Sequence, residues 1–297
     1  MLKYNADIRS VMFMLAATLL LACLWQWGFQ INWGWFAIIY GLQLLAAVTV
    51  SVMTHNHKHL AMWKSNTLNI LTDNWLTVFY GFPVFAWIPT HMINHHIHIN
   101  TEEDYTRTYR FTEKNNLLTL LIYPSVSGYF QQQAVFKYFK ETWQTDREKF
   151  FLNALQVVSL LVWVSVAFIV DWKKALIFVI IPQQVSLYTV LVFNYLQHVH
   201  ADEETKYNNS RNMTGWLLNF LLINNGYHTA HHLFAGIHWS KLPAKHREIE
   251  SKIHPSLNES NFAWYLLRTY ILGIFIPSFR SQSMRAARLQ GHPLATI

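Results

Sequence analysis

Long apolar stretches alternate with polar chain, and four of them are long enough to cross a bilayer. They run over about residues 11–28, 35–53, 151–170 and 175–196. A spanning helix needs about 20 mainly apolar residues to cover about 30 Å of hydrocarbon. The first two stretches are joined by a short link around Asn32, and the last two by Asp171-Trp172-Lys173-Lys174. The pattern predicts an all-α integral membrane fold with four transmembrane helices arranged as two hairpins. A long central segment, residues 54–150, separates them. Shorter apolar runs remain over 68–88, 117–130, 216–223 and 262–276, and most are interrupted or bordered by Pro83, Pro89, Pro124, Asn74 and Gly128. These read as interfacial or re-entrant helices, and the first has the length to dip in and return. The chain reads as one membrane domain over 1–297, ending in a frayed basic tail over 280–297.

Composition agrees. Of 297 residues, 52% are hydrophobic and only 13% charged, which excludes an ordinary soluble enzyme. The single cysteine, Cys23, lies in an apolar run, so there is no CxxC for zinc or an iron–sulfur cluster. The formal charge of +7 raises the question of nucleic acid. Its distribution answers it. Basic residues crowd the N-terminus, the central segment and the chain after the fourth stretch, while only Lys173 and Lys174 fall on the opposite side. By the positive-inside rule both termini and the central segment are cytoplasmic. The charge then serves topology and anionic lipid rather than nucleic acid. Trp25, Trp27, Trp33 and Trp35 gather at the tip of the first hairpin, as an interfacial belt does.

Against this background the histidines are unusual. His55 and His59 stand four apart, so they share a helical face, and His57 points away from it. His91, His95 and His96 follow an i, i+4, i+5 pattern, in which one pair shares a face and the adjacent residue reaches a neighbouring ion. His228, His231 and His232, at i, i+3 and i+4, are expected to share one face. His198 stands alone in N-Y-L-Q-H. All border the cytoplasmic ends of apolar runs. Nine imidazoles at one face point to two metal ions, and neutral imidazole suits iron, zinc, copper and nickel. Two irons held mainly by nitrogen beside a membrane suit oxygen activation against a lipid chain. Glu102, Glu103 and Asp104 follow the second box, and Asp202, Glu203 and Glu204 follow His198. They either orient imidazoles or are solvated surface charges. Gln43, Gln183 and Gln184, inside the spans, either line a channel or hydrogen-bond between helices. A metal transporter requires ligands along the spans, and a bis-histidine haem protein requires facing histidines inside the bundle. Here the ligands sit at one end.

The set HxxxH, HxxxHH and HxxHH, with N-Y-L-Q-H between the last two, resembles the membrane fatty acid desaturase–hydroxylase superfamily and is similar also to alkane monooxygenases. The resemblance covers about residues 10–250, and N-N-G-Y-H-T-A-H-H-L followed by His238-Trp239-Ser240 resembles bacterial members. It implies two iron ions with O2 as co-substrate, and oxidation of an unactivated C–H bond in a fatty acyl lipid, foremost desaturation. Hydroxylation of an acyl chain or alkane, and oxidative decarboxylation to a terminal alkene, are the sister outcomes. It implies His55, His59, His91, His95, His96, His198, His228, His231 and His232 as ligands, with Asn194 meeting a metal through water. No catalytic residue beyond the ligands is implied. A separate electron donor of ferredoxin, rubredoxin or cytochrome b5 type is implied, in a bacterial inner membrane. Two departures stand out. Three residues separate His91 from His95 where many desaturases have two, and Asn56 replaces a frequent acidic residue in the first box.

Overall fold

The structure, a computed structural model, describes residues 1–291. Among the described residues it is mostly helical, with a two-residue parallel pairing of β1 (Asn212–Met213) and β2 (Asn258–Glu259). The main helices are α1 (Ile8–Trp27), α2 (Trp33–His59), α3 (Asn66–Tyr80), α4 (Val84–His98), α5 (Leu117–Thr145), α6 (Arg147–Lys174) and α7 (Ile181–His198). After them come α8 (Trp216–Leu221), α9 (His228–Leu233), α10 (Leu242–Ile249), α11 (Phe262–Phe275) and α12 (Met284–Leu289). The chain divides into two compact units, one of residues 1–89 and 135–190, the other of residues 90–134 and 191 onward.

In the first unit α1 and α2 are apolar enough to cross a membrane. Asn32 begins α2 by accepting the Trp35 N–H at 3.1 Å, a side-chain cap. The third candidate runs over Arg147–His198, 52 residues. Unbroken, it would measure about 78 Å at about 1.5 Å per residue, more than twice the hydrocarbon thickness. It is not unbroken. Asp171 has φ −159° and ψ 100°, and its carboxylate caps the next turn by accepting the Lys173 and Lys174 N–H groups at 3.1 Å. The break falls inside the expected link.

The region expected to dip and return does bend. α3 and α4 meet at 95°. Gly81, at φ +87°, makes the turn, and a Cβ there would sit 2.5 Å from Gln183 Cβ. Past the turn the Phe85 N–H donates to Gln156 Oε1 at 2.9 Å. Several polar side chains in this unit satisfy backbone carbonyls. Gln183 donates to Val78 O at 2.7 Å, Tyr40 to Ile177 O at 2.8 Å, and Ser186 to Ala47 O at 2.8 Å. Of the two readings of Gln183, the interhelical hydrogen bond is the one found. The core packs Leu21, Leu24, Ala167, Ala175, Phe178 and Val179.

The second unit has its own core of Leu120, Tyr123, Tyr195, Leu196, Val199, Met213, Tyr265 and Tyr270. α8 and α11 are too short to span, yet expose Trp216, Phe220, Trp264, Ile271 and Phe275. Apolar faces of this kind suit helices that lie in a membrane interface. The expected tail is more ordered than its composition implies. α12 forms inside it, with Arg285 bonded to Glu113 and Glu203, and Arg288 to Asp202, Glu203 and Glu204. The acidic run after His198 therefore meets arginines rather than imidazoles, with Asp202 and Glu203 largely buried and Glu204 exposed. Residues 292–297 of the expected tail lie outside the described residues.

Candidate metal centre

His95, His198, His228 and His232 are all buried and offer ligand atoms within 4.8 Å of one another. They come from α4, the end of α7, and both ends of one turn of α9. The Nε2 atoms of His198, His228 and His232 are 3.0–3.2 Å apart. Bare lone pairs repel at that range, whereas nitrogens sharing an ion at about 2.0–2.1 Å sit close to 3 Å from each other. For His198 the outer nitrogen explains why the lone pair turns inward. His198 Nδ1 lies 3.0 Å from the Asn209 carbonyl, which only accepts, so Nδ1 carries the proton. His95 Nδ1 lies 2.7 Å from Asp104 Oδ2, and its Nε2 is buried without a hydrogen bond. An orphaned, buried imidazole nitrogen facing three others fits a cation of the imidazole-binding group. Burial, reinforced by His228 and His96, holds His232 far below the ordinary histidine range, so it presents a neutral ring.

A second trio lies beside this quartet. His96 Nε2 is 3.1 Å from His91 Nε2 and 3.0 Å from His231 Nε2. The rings of His96 and His232 are 4.7 Å apart, so the two groups adjoin. The expected shared face of His228, His231 and His232 is therefore split. His228 and His232, a full turn apart, go to the quartet, while His231 goes to the trio. In an α-helix i+3 and i+4 fall to opposite sides of i, which permits this.

The second box is handled differently. Residues Ile88–His95 are π-helical. Hydrogen bonds in a π turn run between residues five apart, which brings His91 and His96 together and sends His95 the other way. The two boxes thus interlace. In each, the first and last histidines share one group and the middle one crosses to the other.

In the first unit His55 and His59 lie one turn apart at the end of α2, with ring centroids 4.8 Å apart, and His55 stacks on Trp87 at 5.1 Å. His57 does face elsewhere: it accepts the Met62 N–H at 3.2 Å. Asn194 donates to the Tyr123 hydroxyl at 2.7 Å.

Of the six acidic residues near the boxes, Asp104 alone backs an imidazole. It is fully buried. Oδ2 accepts from His95 and from the Asn100 N–H at 2.7 Å. Oδ1 accepts from the Thr106 N–H at 2.7 Å and its hydroxyl at 2.8 Å. Burial opposes the charge, but His95 and these donors outweigh it and hold the carboxyl well below its usual range. Thr106 and Asn209 escape a reading of composition. Asp104-Tyr105-Thr106 does carry a signal, since Asp two residues before an N–H is an Asx-turn.

A family model described as fatty acid desaturase matches residues 31–264. The chain belongs to the fatty acid desaturase family. No curated protein and no solved structure gives a match. Desaturase-family membership makes the chain an oxidoreductase of the desaturase/hydroxylase type, and the two histidine groups lie within the matched range.

Proposed function

We propose that the chain desaturates fatty acyl lipid in an O2-dependent reaction at a di-iron centre. One iron is held by His95, His198, His228 and His232. The other is held by His91, His96 and His231, and the family resemblance implies His55 and His59 as ligands besides. The interlaced nitrogen groups, with protons fixed on the outer nitrogens by Asp104 and Asn209, carry this reading. Iron bound there supplies the oxidation that removes hydrogen from an unactivated C–H bond. The protein's part is to hold donors and substrate in place, because small displacements of the reacting carbon change rate and outcome. The Tyr123 hydroxyl donates its proton to the Thr106 carbonyl, so toward Asn194 it can only accept. That fixes the amide with Oδ1 free as an acceptor, suited to a water on the metal.

The N-G-Y-H form of the third box favours desaturation over hydroxylation. Electrons come from a separate ferredoxin, rubredoxin or cytochrome b5 type protein. Both termini and the metal centre are cytoplasmic in a bacterial inner membrane, with four spans in two hairpins. Mass spectrometry of lipids and hydrocarbons from cells expressing the intact chain or His95→Ala tests this. New unsaturated chains are expected with the intact protein alone. Hydroxylated chains or terminal alkenes keep the centre and change the reaction. No difference, with reductant supplied, overturns the proposal.

A further inference from the structure

His198 ends a long helix, and His228 follows it by 30 residues, yet their Nε2 atoms stand 3.0 Å apart. The histidines do not set that spacing themselves. Residues 209–212 touch both sides. Toward α7, the Arg211 N–H donates to Gln197 O at 2.6 Å, and its guanidinium donates to Leu196 O and Val199 O at 3.0 Å each. These carbonyls belong to the last turn, where a helix leaves acceptors unmatched. Arg211 is only 3% exposed, and the face of Tyr265 lies 5.1 Å from it. A buried cation resting on carbonyls suits the negative end of a helix. The neighbouring Asn209 carbonyl takes the His198 proton.

Toward α9, everything converges on Thr229. Its hydroxyl lies 3.0 Å from Ser210 Oγ, accepts from Asn212 Nδ2 at 3.0 Å and donates to Ser210 O at 3.1 Å. Its N–H donates to Asn212 Oδ1 at 3.0 Å. Thr229 follows His228 directly and is fully buried.

We propose that residues 209–212 form a clip that sets the spacing of His198 from His228 and His232, with Arg211 and Thr229 as its positioning residues. The proposal rests on the di-iron reading above. Thr229→Val removes the hydroxyl with little change of shape and opens one jaw. Arg211→Met opens the other, and Arg211→Lys keeps a charged donor. The full-length protein, loaded with iron, is exposed to excess chelator, and retained iron is counted per chain. Thermal unfolding of the metal-stripped protein checks folding.

Thr229→Val and Arg211→Met are expected to lose about half the iron the intact chain retains, since removing outer support weakens metal binding by about 10–100-fold. Arg211→Lys is expected to recover most of it. In a His231→Ala background either variant strips the remaining iron. In a His232→Ala background, where the quartet is already broken, neither lowers it further. Full retention by both variants overturns the clip, and so does an equal further loss in the two backgrounds. If Arg211→Met fails to fold, Thr229→Val decides alone. An intact chain that holds no iron removes the di-iron reading and the clip together.

Discussion

At the scale of single residues, the centre is governed by groups that never touch a metal. Asp104 is the clearest. With all its acceptor positions used by His95, Asn100 and Thr106, it fixes the ring of His95. Asp104→Asn is expected to weaken iron binding by about 10–100-fold in a chelator competition. Iron held as tightly as in the intact chain would show that the carboxylate is a bystander. The same residue sets a pH dependence. Its folded-state pKa lies below the unfolded value of about 3.9. Its stabilisation is therefore complete above that pH and is lost as pH falls toward the folded value. Melting of the metal-stripped chain between about pH 6 and about pH 3 should fall more steeply for the intact protein than for Asp104→Asn. Backbone strain gathers in the same places. Ile99 and Asn100 follow the second box, His200 follows His198, and Ile223 and Asn224 precede the third, all at positive φ. For a β-branched residue such as Ile99 this conformation is uncommon, and it lets the Asn100 N–H turn back onto Asp104.

At the scale of elements, hydropathy and punctuation carried most of the fold. The apolar runs at α1 and α2 show as spans because their length has no other reading in water. The Asp171 break was legible because a charged link is the one place where such a run can turn. The bend between α3 and α4 was legible from Pro83. The distribution of histidines between the two groups was not, because the α-helical spacing rule assumes an α-helix and nothing in H-M-I-N-H-H announces a π turn. Nor was Arg211, which in the sequence is one basic residue among many and in the fold is a buried cap. The π turn leads to a specific expectation. Ile93, half exposed on α4, is the simplest residue to remove. Without it the box becomes HxxHH, and an ordinary α-helix places its first and last histidines a full turn apart, as in α9. Deleting Ile93 is therefore expected to preserve iron content, whereas inserting an alanine after Ile93 should abolish binding by the trio. Metal analysis of the two purified variants compares them, and iron loss on deletion would refute the equivalence.

At the scale of the whole molecule, charge asymmetry makes the proposed topology testable. Cysteines placed at Lys173 and at Lys245 should react with a membrane-impermeant maleimide from opposite sides of intact vesicles, after Cys23→Ser removes the native thiol. Labelling of both from one side would reverse the assignment of the last hairpin. The histidine groups were legible as boxes bordering the apolar runs, and what the sequence withheld was how backbone geometry shares them out. One consequence concerns how such chains evolve. Because a π turn can rewind to an α turn, the loss of one residue from the second box leaves the nitrogens where they were. A gap at that position in a comparison of related chains is then nearly neutral drift, and the three-residue spacing here does not sort this enzyme with the hydroxylases rather than the desaturases.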